Sequence, residues 1–276
     1  MTEAFDAVVT ALGDDELIIG HRHSEWTGYA PHIEEDVAFA SIAQDEIGHA
    51  ASYYSLIAET PREVDALALG RQPEAFRNAV LCERPNDEWA FTLARHWLYD
   101  HADDIRLEAL EQTSEPKLQQ LVTKIRREER YHLLHADYWM QRVAQGPVDA
   151  RARIIPATAS AFAEATGLFE PFEHEEQALQ EGWLPVPSPE LHVRFTRWAA
   201  SALDALGLPG DQDQGSEATE FVASSSGDLI AGEVAETETP AAQMGAGGRR
   251  GVHTKDLTEL WSAMTTQYRE NEGATW

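Results

Sequence analysis

Apolar residues recur every three or four positions through most of the chain's first half, which is the spacing of one face of an α-helix. The clearest stripe runs through residues 116–144 and includes Leu118, Leu121, Val122, Ile125, Leu133, Ala136, Trp139, Met140 and Val143. Pro31, Pro61 and Gly146 interrupt the spacing, so helices are expected to end before them. No stretch alternates between apolar and polar residues as a β-strand does. The pattern therefore predicts an all-α fold.

The same spacing, read with capping and helix-breaking residues, predicts four long helices that pair as two antiparallel hairpins. These four helices are expected at residues 14–30, 33–59, about 87–112 and 116–144. Shorter helices are expected at 62–70, 151–166, 170–181, 189–206 and 254–272. We divide the chain into a helical bundle with flanking helices (1–208), an acidic Gly/Ser-rich and partly disordered loop (209–250), and a C-terminal segment whose helix packs on the bundle (251–276).

Two of the predicted long helices carry a glutamate followed three residues later by a histidine: Glu46 with His49, and Glu129 with His132. Residues three apart lie on the same face of a helix. Both pairs share a face with apolar residues, so all four side chains should project into the core. Ionisable groups are seldom buried there without a partner or a metal ion.

The two hairpins supply further carboxylates at the same level. Glu16 lies 30 residues before Glu46, across the turn at Pro31, and Asp100 lies 29 residues before Glu129, across the next turn. One carboxylate from each of two helices, with a Glu-x-x-His from each of the other two, is the ligand set of ferritin-like di-iron or di-manganese bundles. The sequence therefore predicts a ferritin-like four-helix bundle with additional C-terminal helices.

The predicted metal ligands are Glu16, Glu46, His49, Asp100, Glu129 and His132. Carboxylate and imidazole ligands suit iron, with manganese as the alternative, and the lack of thiolates argues against structural zinc or an iron–sulfur cluster. Asp103, Asp104 and Glu128 lie close to the same register, with Glu128 expected beside the ligands or on the surface. A bundle core that keeps these residues without any metal is the competing interpretation.

The charge of the chain restricts its partners. Its 48 acidic and 21 basic residues give a net charge of −27, which repels nucleic acid and anionic membranes. The acidity fits either adaptation to high salt or an acidic docking surface. No apolar run is long enough to span a membrane, and the single cysteine, Cys82, fits a reducing compartment, so we predict a cytoplasmic protein. Arg249 and Arg250, in a Gly-rich stretch, are candidates for contact with a phosphate or an acidic subunit.

Three blocks of the sequence resemble a known family: LGDDELIIGHRHSEWTGYAPHIEEDVAFASIAQDEIGHA, REERYHLLHADYWMQRVAQG and GGRRGVHTKDLTELW. They are similar to the C subunits of bacterial phenylacetyl-CoA 1,2-epoxidase, a ring-hydroxylating complex. The resemblance implies a ferritin-like subunit of a multicomponent monooxygenase of phenylacetate catabolism. It also implies a heterodimer with a catalytic A subunit that carries the di-iron centre, and a reductase that supplies electrons to the complex.

The chain departs from that family's pattern in one respect. C subunits of the family have lost most metal ligands and serve as structural partners, whereas all six predicted ligands are present here. The resemblance therefore predicts a supporting subunit, and the residues predict a metal site of its own. Two alternatives stay open at this point: a free-standing ferritin-like di-iron oxidase or oxygenase, and a metal-free scaffold.

Overall fold

The computed structural model describes residues 2–209 and 246–271, and every regular element in these two ranges is helical. The α-helices are α1 (Glu3–Ser24), α2 (Ile33–Tyr54), α3 (Pro61–Leu69), α4 (Val80–Glu83), α5 (Trp89–Leu110), α6 (Pro116–Ala144), α7 (Val148–Ala165), α8 (Glu175–Gln180), α9 (Ser188–Leu206) and α10 (Lys255–Glu270). Short 3-10 turns cover Pro73–Ala75, Thr166–Phe169 and Gly248–Arg250. The predicted all-α class is confirmed.

Helix α1 begins eleven residues earlier than the spacing predicts and ends at Ser24 instead of residue 30. Its first turns bury Phe5, Val8 and Leu12, so apolar packing extends the helix toward the N-terminus. Gly13 lies inside this helix, where the ring of Tyr54 packs against it and leaves no room for a side chain. The prediction that the helix starts near residue 14 was wrong.

Local capping explains the starts of other helices. Thr60 accepts a hydrogen bond from the backbone N–H of Glu63 and opens α3. Pro116 occupies the first turn of α6, where its missing N–H costs nothing. The cap of α6 is the side chain of Glu115, which accepts from Lys117 N. Helix α6 still runs over the predicted residues.

Helices α1 and α2 form one antiparallel hairpin, and α5 and α6 form the other, which together make a ferritin-like four-helix bundle. Helices α7 and α9 pack against α5. Helices α4 and α10 pack against α1, with α3 beside α2. No helix in the described ranges is long and apolar enough to cross a bilayer.

The core divides into two apolar clusters. One surrounds Phe5, Leu12, Leu107 and Ile125, and the other, larger cluster includes Leu98, Met140 and Phe195 at its centre. Along α5 and α6 the two clusters are separated by buried ionisable residues. The bundle therefore contains a polar layer enclosed between two apolar ones.

The predicted loop 209–250 lies mostly outside the described residues, but its last five residues are described. There, Arg249 is 1% exposed and its guanidinium donates to both carboxylate oxygens of Asp15 in α1, at 3.0 and 2.7 Å. It also donates to the carbonyl oxygens of Ala11, Arg77 and Leu168. All of these contacts lie within the chain, so the predicted role of Arg249 in binding a phosphate or another subunit was wrong.

Candidate metal centre

All six predicted ligands lie within the buried polar layer, each at most 2% exposed. They are Glu16 on α1, Glu46 and His49 on α2, Asp100 on α5, and Glu129 and His132 on α6. Every bundle helix therefore contributes at least one buried carboxylate to the layer, and α2 and α6 each add an imidazole.

Three of the six converge closely. His49 Nδ1 lies 3.3 Å from a carboxylate oxygen of Glu16 and 3.2 Å from one of Glu129. One donor atom from each residue lies within 4.8 Å of the other two. Three buried donors at such separations could hold one metal ion, with two hard oxygens and one imidazole nitrogen as ligands.

His132 joins this group through Glu129. Its Nδ1 lies 3.0 Å from Glu129 Oε2, and its Nε2 lies 3.6 Å from Asp45, a half-exposed carboxylate on α2. The second nitrogen of His49, Nε2, likewise lies 3.1 Å from Glu128, which is also partly exposed. Each histidine therefore has one nitrogen among the buried ligands and the other beside a carboxylate close to the surface.

Glu46 and Asp100 lie in the same layer but contact other histidines. Glu46 holds His23 Nδ1 at 2.9 Å, and an oxygen of Asp100 lies 3.1 Å from His96 Nδ1. The structure therefore does not bring either carboxylate into the close group of Glu16, His49 and Glu129. Asp100 nevertheless stays within the electrostatic reach of Glu129 and His132, because it lies level with them across the hairpin.

Several donor atoms in the layer make no well-aligned hydrogen bond among the described residues, although some lie close to an ionisable neighbour. They are both carboxylate oxygens of Asp100, Glu129 Oε1 and both ring nitrogens of His132. Buried polar atoms without a partner are costly, and native proteins keep few of them. Oxygen and imidazole atoms are also the donors that iron and manganese prefer, so the residues fit a divalent cation.

The electrostatics of the layer point the same way. Burial raises the pKa of Glu46 and of Asp100 well above the usual range of carboxyl groups, and neighbouring carboxylates raise both further. Burial also opposes ionisation of Glu129, but His132 and His49 outweigh it and lower its pKa to about 2. Conversely, Glu129 and Glu16 overcome burial and raise the pKa of His49 to about 11. The protonated imidazoles of His49 and His132 thus neutralise the carboxylates around them, and a bound cation could take over this role.

A family profile described as "Phenylacetic acid catabolic protein" matches residues 2–221, which includes the whole bundle. The chain belongs to this family. It is also 26% identical over 272 residues to the C subunit of 1,2-phenylacetyl-CoA epoxidase from Escherichia coli (strain K12), with 98% of each chain covered. The resemblance read from the sequence motifs is therefore confirmed, and the likeness to this epoxidase component runs essentially from end to end.

The polar layer of this bundle also includes residues that the spacing of the sequence did not predict as ligands. Glu35, His135 and His96 form a chain of close contacts, at 2.9 and 3.2 Å, that continues from His96 to Asp100. Tyr99 donates a hydrogen bond to Glu16 at 3.0 Å. The signal for His96 was present, since it precedes Asp100 by four residues and therefore lies on the same helical face.

The near-register alternatives have other partners. Asp103 is buried but pairs with Arg106 at 2.7 Å, and Asp104 pairs with Arg126 on the bundle surface at 2.9 Å. Glu128 is partly exposed, as expected, and touches His49 from outside. None of these three carboxylates belongs to the close group of Glu16, His49 and Glu129, because Glu128 meets the other ring nitrogen of His49, Nε2.

Proposed function

We propose that this chain is a C-type subunit of a phenylacetyl-CoA epoxidase complex. The observation that carries the proposal is the likeness to the C subunit of such an epoxidase over 98% of both chains, with the bundle inside the matched family range. A catalytic A-type subunit is the direct partner in this proposal, and a reductase serves the complex indirectly. Co-purification tests it: a tagged chain should retain an A-type partner that is expressed with it from the same source. A lone chain that epoxidises phenylacetyl-CoA at full rate would instead support a free-standing oxygenase.

We further propose that the polar layer binds iron, with manganese as the alternative metal. Glu16, His49 and Glu129 would hold an ion, and Glu46, Asp100 and His132 are the donors available for a second one. When bound, iron in such a site supplies the redox chemistry by which oxygen is activated. The donor atoms of Asp100, Glu129 and His132 that make no well-aligned hydrogen bond support the proposal.

The other residues of the layer orient these ligands. Tyr99 fixes one oxygen of Glu16 by hydrogen bonding, and His23 holds the carboxylate of Glu46. The two apolar clusters on either side exclude water, which strengthens every charge interaction between them. Through these contacts the chain presents carboxylates in fixed positions at low solvent exposure.

Iron content tests the metal proposal. After anaerobic incubation with Fe(II) and desalting, elemental analysis should find about one to two iron ions per chain. The double variant Glu129→Gln, His49→Ala should lose nearly all of this iron. The control carries the same two changes at exposed positions near the start of α2, Glu34→Gln and His32→Ala, and should keep it. Equal iron in both variants would mean that the polar layer does not hold it, and no iron in the natural chain would leave a metal-free scaffold as the better description.

A further inference from the structure

One face of the bundle, formed by the outer sides of α2 and α6, leaves large apolar side chains in solvent. Nine such side chains are exposed in the described residues, and six of them lie on α2, on α6 or in the turn that leads into α2. These six are Tyr29, Ile33, Val37, Tyr131, Leu134 and Tyr138, between 50% and 81% exposed. The other three, Val148, Val193 and Val252, lie singly elsewhere. Since each of the six keeps at least half of its surface exposed, no described element covers them.

The outer stripe of α2 carries no charge. Its positions recur at helical spacing and are Ile33, Val37, Ser41, Gln44, Gly48 and Ala51, all exposed. In a chain with 48 acidic residues, an uncharged stripe along almost the whole outer side of a helix is unexpected, although Glu34 is exposed beside it. Depletion of charge at a surface is typical of the centre of a protein–protein interface.

Gly48 gives an independent indication. It lies inside α2, where glycine costs about 1 kcal/mol relative to alanine. A Cβ atom added there would meet nothing within 4 Å, so packing within the described chain does not require glycine. A glycine on an exposed helix face allows another backbone to approach closely.

Helices α2 and α6 run antiparallel, because Glu35 meets His135 at one end of the pair and His49 meets Glu128 at the other. The exposed apolar residues of α6 therefore lie toward the Ile33 end of α2. Toward the Gly48 end, α6 exposes three cations, Lys124, Arg127 and Arg130, of which Lys124 is paired with Glu128 at 3.2 Å. The α2/α6 face thus has an apolar end and a cationic end.

We propose that the α2/α6 face docks a second helical subunit, whose own surface presents apolar side chains at one end and carboxylates at the other. This rests on the proposed function, in which the A-type subunit is that partner. The 22 residues of α2 and the part of α6 that lies beside them offer a strip about 33 Å by 20 Å, roughly 650 Å². That is close to the area of about 800 Å² that each side of a standard interface buries. A second copy of this chain fits less well, because it brings another net charge of −27.

Docking on this face has a consequence for the polar layer. Asp45 and Glu128 lie at the seam between α2 and α6, with side chains 45% and 38% exposed, and they touch His132 and His49. They are therefore the solvent-facing neighbours of the two ligand histidines. A partner seated on the face covers them and separates the layer from bulk water.

The test measures the affinity of the purified full-length chain for the purified A-type subunit. Val37→Gln with Leu134→Gln should weaken binding at least tenfold, about 1.4 kcal/mol. The control, Val148→Gln with Val193→Gln, removes exposed apolar residues away from the face and should leave affinity unchanged. Arg127→Glu with Arg130→Glu should also weaken binding and reverse its salt dependence, whereas Arg197→Glu on α9 should not.

Gly48→Gln separates folding from docking. The substitution should leave the isolated chain as stable as before or more stable, because glutamine forms helix better than glycine. The same variant should no longer bind the A-type subunit, because the glutamine side chain fills the space in which the backbone of the partner approaches α2.

If the natural chain binds the A-type subunit and every face variant binds equally well, the α2/α6 face is not the docking surface, although the proposed function stands. If the natural chain does not bind that partner at all, the proposed function itself fails. Dimers of the lone chain that Val37→Gln with Leu134→Gln dissociates would assign the face to a second copy and overturn the proposal.

Discussion

Replacing Arg249 by methionine should destabilise the chain by about 3 kcal/mol, because it removes the cation of a buried ion pair and leaves the carboxylate of Asp15 in place. The guanidinium makes five hydrogen bonds, two to Asp15 and three to backbone carbonyl oxygens. Truncating one partner of a buried pair costs about 3–5 kcal/mol in general. The lower end applies here, because Asp15 keeps a second cation, Arg106, at 2.6 Å, and the backbone N–H of Ala79 at 2.8 Å.

Urea unfolding at pH 7, followed by circular dichroism, measures this loss. For a chain of this size, 3 kcal/mol corresponds to a fall in melting temperature of roughly 6–12 °C. The matched control is Arg194→Met, which removes an arginine from a half-exposed pair with Glu190 and should change stability by no more than about 0.5 kcal/mol. A loss below about 1 kcal/mol for Arg249→Met would refute the claim that this residue anchors the 246–271 segment to α1.

Three further predictions concern single groups. Gly13→Ala should destabilise the chain by about 1–2 kcal/mol, measured by urea unfolding, because the new Cβ meets a ring carbon of Tyr54 at 2.7 Å. This clash should outweigh the better helix propensity of alanine, and a gain in stability would contradict the packing described. Burial raises the pKa of Asp15, but Arg249 and Arg106 outweigh it and lower that pKa overall, so the ionised carboxylate contributes its full stability above about pH 4 and loses it as the pH falls through the lowered pKa. Asp15→Asn should therefore flatten the acid limb of a plot of stability against pH. An unchanged acid limb would refute this. Hydrogen bonds to Glu129 and Glu16 overcome burial and raise the pKa of His49 to about 11, so binding of Zn²⁺ or Fe²⁺ at pH 7 must displace its proton. A pH indicator in weak buffer should report this proton release, and His49→Ala should reduce it. Equal release from both proteins would exclude His49 as a ligand.

The helical class of the chain and the inward direction of Glu129 and His132 were predictable from sequence, because both depend on the local period of 3.6 residues. Positions three apart on one helix keep their relation whatever the rest of the fold does. Hairpin length is almost as local, so the arithmetic across Pro31 correctly placed Glu16 level with the α2 ligands. The arithmetic set Glu16 opposite Glu46, whereas the α2 residue that Glu16 meets is His49.

What the spacing could not supply is the rotation of each helix about its axis and the contacts between distant segments. Asp100 meets His96 one turn away on its own helix, a contact that helical spacing allows. Packing of α1 against α2 turned Glu46 toward His23, which separates that carboxylate from the close group. No periodicity contains this information, since it is set by the shapes of side chains on neighbouring helices.

The sequence by itself thus determined most of the long helices, the burial of the six predicted ligand residues and the two hairpins, because helical periodicity and turn residues act over a few positions. Tertiary structure decided which donors meet, and it decided the place of Arg249. That residue pairs with an anion 234 positions away, Asp15, and the strength of a buried ion pair depends on surroundings that form only when the bundle closes. Local pattern fixed the components of this polar layer, and packing fixed their arrangement.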